Sequence, residues 1–397
     1  MQTVGAKEVG EVGVGGRLIA WLGRLLVAIV IPAIAFGVIY AGFIFLRESD
    51  APKWIIALVA IVWGVGGVAL LYTLFNGLVE RLPDPWQARL QPFVFVGPAV
   101  AIMAWYLAVP TVRTFWLSLF GVDGPPEEAF DLSLGLPGLI NGFRTLIESS
   151  VGIDNYVSLF AQRLLTDAMR NNVLWMIFGS TFSVISGLLI AVLADRSRFE
   201  RLAKSLIFLP MAISFVGAGV IWKFIYAVRP ADQPQIGVLN ALLTSLGGQP
   251  NSWFAWTEII PWNSLFLIVI VIWLQTGFAM VLFSAALKGI PGELLEAGRV
   301  DGAKEVQIFF RIMVPYIQGT IVTVWTTIVI FTLKIFDVVW VMTGGQFGTE
   351  VIATQFYRQR FVARDSGVGS AVAIILLLAV IPVMIYNLRQ FREQEAF

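Results

Sequence analysis

About eight stretches of this chain, each of roughly 20 mainly apolar residues, are long enough to cross the hydrocarbon core of a bilayer as helices. They cover residues 25–46, 54–79, 93–120, 172–194, 206–227, 265–287, 321–342 and 371–388. A chain with this pattern folds as an all-α polytopic membrane protein, because lipid is its solvent over most of its length. The composition agrees: 58% of residues are hydrophobic and 13% charged, against about 45–50% and 25% in soluble domains. Cysteine and histidine are both absent. That removes disulfides, thiolate nucleophiles, haem ligation and most transition-metal sites. No metal site and no catalytic residue are expected. A net charge of +1 points away from a nucleic-acid partner. Residues 1–16 read as a polar, Gly-rich tail, with no cleavable signal peptide expected.

Lys and Arg in the short loops set the orientation. The loop DRSRFERLAK, residues 195–204, carries four basic residues in ten and is expected in the cytoplasm. Lys7, Arg17, Arg24, Arg81, Arg89, Arg389 and Arg392 then fall on the same side, and both termini are cytoplasmic. The polar stretches 121–167 and 229–258 fall outside, with Asp123, Glu127, Glu128 and Asp131. Prolines in ERLPDPWQARLQP mark a cytoplasmic linker. Residues 1–91 therefore read as a tail, two extra spans and the linker, and residues 92–397 as a six-span core. Asn171 and Asn172 read as caps of the span that starts beside them.

The apolar texture breaks at residues 289–318, where charged residues, glycines and prolines mix. Pro291 should stop the preceding helix, and residues 292–297 can form a short one. Gly298 and Gly302 loosen the chain beyond it, and Asp301 is placed to cap a second helix from Gly302. Val306, Phe309, Phe310 and Met313 then share one apolar face. Pro315 marks the return to the membrane. The segment reads as a helix–turn–helix along the cytoplasmic surface, with Glu296, Arg299, Asp301 and Lys304 at its tip. It is either an interfacial element lying on lipid headgroups or a docking handle for another protein.

EAGRVDGA followed by FFRIMVP resembles the cytoplasmic loop signature of ABC-importer permeases. Glu296, Ala297, Asp301, Gly302, Ala303 and Pro315 match; Gly298 and Val314 replace a usual alanine and leucine. NNVLWMIFG, LIFLPMAISFVGAGVIWKFIYA, WLQTGFAMVLFSAALKGIP and FDVVWVMTGGQFGTE resemble the sugar-importer branch, closest to α-glucoside and maltose-type permeases. Relatives in that branch take maltose, sucrose, trehalose or glucosylglycerol. The resemblance implies a type I importer core of six spans in a bacterial inner membrane. It implies that Glu293, Glu296, Ala297, Arg299, Asp301, Gly302, Ala303 and Pro315 couple to an ATPase. It further implies a second, different permease, a dimer of ATPase subunits and an extracytoplasmic sugar-binding protein. ATP and Mg would be held by the ATPase subunits, with no cofactor in this chain. VGVGG near the N-terminus is no nucleotide loop, since no Lys-Ser/Thr comes after it.

A sugar path needs polar and aromatic groups inside spans, because a buried hydroxyl without a partner costs on the order of a few kcal/mol. Alignment with the maltose-type permease implies Leu274, Gln275, Phe278, Ile328, Phe331 and Thr332 as its lining. For Gln275 the alternative is an interhelical hydrogen bond; for the aromatic residues it is core packing. Lys334 and Asp337, at i and i+3 in the seventh span, share a face and form a candidate external gate or ion pair. Thr343, Gly344 and Gly345 form a candidate external turn that meets the binding protein. A proton-coupled carrier using Asp337, or a permease for a non-sugar solute, is the alternative function.

Overall fold

The computed structural model describes residues 34, 37–38, 40–80, 82–126, 136–255 and 262–395. Most of the expected first span, with Lys7, Arg17, Arg24, Arg81, Glu127, Glu128 and Asp131, lies outside the described residues. Among the described residues the only β-type pairing is the isolated bridge Phe120–Ser150; all regular structure is helical. After a helical stretch over residues 40–48, the helices in chain order are α1 (Lys53–Val79), α2 (Asp84–Leu117), α3 (Leu136–Ser149), α4 (Asp154–Ala161) and α5 (Arg163–Asp195). Next come α6 (Glu200–Phe208), α7 (Phe215–Ile225), α8 (Val238–Ser245), α9 (Trp262–Lys288) and α10 (Gly292–Val300). The last are α11 (Glu305–Tyr316), α12 (Gln318–Leu333), α13 (Asp337–Met342), α14 (Ile352–Tyr357) and α15 (Ser366–Glu395).

Five of these are long and apolar enough to span alone, or up to seven if each of two bent pairs counts as one span. The expected spans at 54–79, 93–120, 172–194, 265–287 and 371–388 thus correspond to α1, α2, α5, α9 and α15. The other two are corrected. The expected span 206–227 is two helices, with a 104° bend between the α6 arm and α7. Ser214 caps α7, its hydroxyl accepting from the Gly217 N–H at 3.0 Å. The expected span 321–342 starts from a 71° bend between α11 and α12, leaves the helix after Leu333 and resumes as the short α13.

The chain forms two compact units, residues 1–110 and 111–397. In the first, α1 meets the start of α2 through an edge-to-face contact of Tyr72 and Phe95 at 5.0 Å. In the second, α5 packs along α9. Ser183, Val184, Gly187, Ala191 and Ala194 line the buried stripe of α5, and small residues let two backbones approach closely. A Cβ on Gly187 would run into Ala279 and stand 2.9 Å from the Met280 backbone nitrogen. Ser186 and Thr276 join the two helices through their hydroxyls at 2.7 Å. A second core holds Trp175, Leu267, Ile270, Val271 and Leu274 against Val338, Val339 and Met342 of α13.

A break in a helix frees backbone groups that lipid cannot satisfy. Asn172 answers this at the end of α12: its Nδ2 donates to the Leu333 carbonyl at 2.8 Å, and its Oδ1 accepts from the Ile352 N–H at 2.9 Å. Asn171 donates to the carbonyls of Gly348 and Glu350 at 2.7 and 2.8 Å. Both asparagines are buried inside α5. They clamp distant irregular backbone and do not cap their own helix, which corrects the sequence reading.

Candidate functional site

Pro291 separates α9 from α10 and stands at the N-terminal boundary of α10. The expected short helix is present and runs on to Val300. Asp301 does not start the next helix; it ends this one. Gly302 adopts φ +81°, and the Ala303 N–H reaches back to the Gly298 carbonyl at 3.0 Å while the Asp301 N–H bonds Ala297 at 2.9 Å. This is a glycine-terminated helix end. Lys304 opens α11, its backbone N–H donating to the Gln307 side-chain carbonyl at 2.8 Å.

The expected apolar face is corrected as well. Val306 and Phe310 are exposed, and the buried residues are Ile308 and Met313, packed with Val184, Ala191 and Phe283 in one cluster. A π-type turn over Phe309–Met313 shifts the face away from plain helical spacing. The tip stands clear of the body. Glu293, Glu296, Ala297, Arg299, Asp301 and Gly302 are exposed, Ala303 is half-buried and Pro315 is exposed. Val300 is 87% exposed, an apolar side chain offered outward. Gly298 is buried against α11, where an added Cβ would come within 2.7 Å of Ile312 Cδ1. Two residues that sequence reasoning missed complete the element. Glu305 accepts from Arg299 Nε at 3.0 Å and from Arg196 Nη2 at 2.7 Å. The only signal for them was charge on short loops.

The six candidate path residues divide. Leu274 and Ile328 are each closed into a hydrophobic core of the second unit. Thr332 is fully buried and donates to the Val329 carbonyl at 3.0 Å within its own helix. Gln275 is buried, and none of the hydrogen bonds among the described residues uses its side-chain amide. Phe278 is half-buried and Phe331 is 47% exposed. Of the six, Phe331 thus offers the largest open surface, one ring on α12.

Helix α12 rises about 24 Å at ~1.5 Å per residue, so α13 and the loop after it lie at the opposite end of the bundle from residues 289–318. Lys334 and Asp337 do not share a helical face, because the helix stops between them; among the described residues no ion pair joins them. This corrects the expected pair. The expected turn is present and firmly built. Gly344 and Gly345 have φ of +62° and +81°, and the Thr343 and Thr349 hydroxyls meet at 2.6 Å. Arg358 Nη2 donates to the Gly344 carbonyl at 2.9 Å and to Glu350 Oε2 at 3.0 Å. Burial raises the Glu350 carboxyl above its ordinary value, and Arg358 pulls it back. Asn263 of α9 holds the Phe347 carbonyl at 2.7 Å. The exposed tip is residues 346–348; Gly345 is buried beneath it. Beside the loop stands an aromatic set that sequence reasoning also missed. Phe336 and Trp340 stack at 5.7 Å, Trp340 meets Tyr357 at 4.5 Å, and Tyr357 meets Phe361 at 5.2 Å.

Among the described residues no group of metal-ligating side chains is gathered. The arrangement is a helical body with an exposed helix–turn–helix at one end and a braced loop at the other. Comparison with known proteins shows the family and the fold. The family model for the binding-protein-dependent transport system inner membrane component matches residues 183–392. The osmoprotective compounds uptake permease protein GgtC of Synechocystis sp. is 48% identical over 302 residues, 76% of this chain and 99% of that protein. The alpha-glucoside transport system permease protein AglF of Rhizobium meliloti is 44% identical over 301 residues, 76% of this chain and 82% of that protein. A chain of a bacterial alginate ABC transporter, crystallised in complex with an alginate pentasaccharide-bound periplasmic protein, superposes with a TM-score of 0.60 over 77% of this chain and 96% of its own. At 19% identity that likeness concerns the fold. The chain belongs to the family of binding-protein-dependent transport system inner membrane components.

Proposed function

We propose that the chain is one permease subunit of an ATP-driven importer for an α-glucoside or a related small sugar. The observation that carries this reading is the exposed α10 tip, from Glu293 to Ala303, on a chain 44% identical to an α-glucoside permease and 48% identical to an osmoprotectant permease. In this reading a second permease completes the sugar path, and two ATPase subunits hold ATP and Mg. One ATPase subunit docks on the exposed tip, residues 293–303, from the cytoplasm. A binding protein delivers sugar at the other end, where the tip at residues 346–348 and the ring set of Phe336, Trp340, Tyr357 and Phe361 offer polar and aromatic contacts. Faces of aromatic rings suit the C–H faces of sugars, which supports a carbohydrate cargo.

Mild-detergent purification from the native membrane tests the assembly. An ATPase pair and a second permease should come with the chain in fixed ratio. A chain that emerges alone, and carries sugar in proteoliposomes without ATP but with a pH gradient, would overturn the proposal in favour of a carrier. Gly302→Val tests the tip. A left-handed conformation costs an L-residue roughly 1–2 kcal/mol, so the turn should distort and binding-protein-stimulated ATPase activity should fall at least about tenfold. Stimulation at the wild-type level would remove the tip from the mechanism.

A further inference from the structure

The loop DRSRFERLAK, whose basic residues set the orientation of the chain, is also tied by charge to the α10–α11 element. Arg196, the residue after α5, donates to Glu305 Oε2 at 2.7 Å, and Arg299 of α10 donates to Glu305 Oε1 at 3.0 Å. One carboxylate thus holds a guanidinium on each side, one from the docking tip and one from the end of a spanning helix 109 positions earlier. Asp195, adjacent to Arg196, forms the other leg. It pairs with Lys204 of α6 and accepts from the Ser284 hydroxyl of α9 at 2.8 Å. Lys204 also reaches Glu200 at 2.6 Å, and Lys288 at the end of α9 reaches the same Glu200 oxygen at 2.5 Å. The two halves differ in depth. The Lys204 and Asp195 side chains are 19% and 17% exposed, against 53% and 47% for Arg196 and Glu305. A firm inner clamp joins α5, α6 and α9, and a looser outer link joins that clamp to the tip.

We propose that Glu305 is a positioning residue that passes displacement of the α10 tip, through Arg196, to the joined ends of α5, α6 and α9, so that DRSRFERLAK is the second half of the coupling element. The proposal rests on the importer reading above. The backbone path from the tip leads only back to α9 or forward to α11. The Arg299–Glu305–Arg196 link adds a direct connection to α5, the helix packed most closely along α9. A shared exposed carboxylate suits this role: it holds two arginines in register yet can release one as the tip moves.

The test uses the whole importer in lipid discs, with Glu305→Gln, Arg196→Gln and the double variant. Four quantities are read: ATPase subunits retained, basal ATPase rate, binding-protein-stimulated rate and sugar transport. Expected are full retention and an unchanged basal rate. Stimulation and transport should fall about fivefold in each single variant, the factor corresponding to about 1 kcal/mol. The double variant should fall no further than either single one, because both changes cut one link. Glu305→Asp, which keeps the charge, should recover at least half of the stimulation. Wild-type stimulation in Glu305→Gln overturns the proposal, and so do losses that multiply to about 25-fold in the double variant. Loss of ATPase subunits from the single variants would make Glu305 a docking contact and overturn the relay too. If the unaltered chain retains no ATPase, the importer reading fails by itself, an outcome distinct from all of these.

Discussion

Helices α1 and α9 are a matched pair by every bulk measure. Each has 27 residues and a mean hydropathy of 2.5 over its most apolar window, yet none of that window is buried in α1 and 56% is buried in α9. Their polar residues explain the contrast. In α1, Thr73 donates to the carbonyls of Ala69 and Leu70, and Asn76 bonds Glu80 at 2.7 Å; every partner is on the same helix or the residue closing it. In α9, Asn263 reaches Phe347, Thr276 meets Ser186, and Ser284 donates to Asp195; every one of these partners belongs to another segment. Apolar content decides that a helix sits in lipid. Polar groups that look outward for partners, together with small residues that permit close approach, decide what it packs against.

The sharpest way to break this contrast is to remove an outward-looking amide. Asn172→Ala leaves the Leu333 carbonyl and the Ile352 N–H buried without a partner, at about 1–3 kcal/mol for each group. The expected result is a destabilisation of about 2–6 kcal/mol, read as a large drop in the detergent melting temperature of the second unit. Asn76→Ala, the matched change in α1, removes only a local bond and should stay within about 0.5 kcal/mol of wild type. Equal effects would show that burial in the bundle does not govern the cost.

Close approach supplies the next test. Gly187→Leu places a side chain where even a Cβ would press on the Met280 backbone, and overpacking of this kind typically costs about 1–3 kcal/mol. At Gly64 in α1 an added Cβ has nothing within 4 Å among the described residues, and Gly64→Leu should be silent. The readout is the fraction of folded protein after a fixed heat step. A tolerated leucine at 187 would mean that α5 and α9 separate more freely than their packing indicates.

The same contrast marks what the sequence makes legible. Span positions were readable because 20 apolar residues in a row need no partner to be recognised. The helix–turn–helix was readable from Pro291, Gly298, Gly302 and Pro315, all local signals. The breaks in the spans were not, because what stabilises them is remote: Asn172 is 161 positions from Leu333 and 180 from Ile352. Read locally, Asn171 and Asn172 resemble caps. The error at Asp301 was avoidable, since an Asp-Gly after an apolar-periodic stretch is as good a stop as a start, and a glycine at the end of a helix is the commoner device. The Lys334–Asp337 pair failed for the same reason as the seventh span: i and i+3 share a face only while the helix continues. At the candidate site, local signals marked the tip and only the resemblance to importer permeases gave its residues a coupling role, whereas Glu305 and Arg196 gain their meaning only when α5 and α11 are brought together.

The smallest expected effect bears most directly on the comparison. No residue of α1 is fully buried, and removal of the N-terminal part is expected to leave the stability of the second unit where it was. A chain beginning at Gln91, with a new initiating methionine, keeps the last four-fifths of α2 (Asp84–Leu117) and the whole of residues 111–397. Its extent is comparable to the 302 residues that account for 99% of GgtC. The expected change in melting temperature of the second unit is close to zero, corresponding to less than about 0.5 kcal/mol, the usual range for changes away from packed contacts. The measurement is a thermal unfolding curve of the short and full chains in the same lipid, monitored by tryptophan emission of the shared residues. A fall of several degrees would show that α1 contributes to the bundle despite its open faces. Hydropathy alone would then have been the better guide, because α1 and α9 would be equivalent after all.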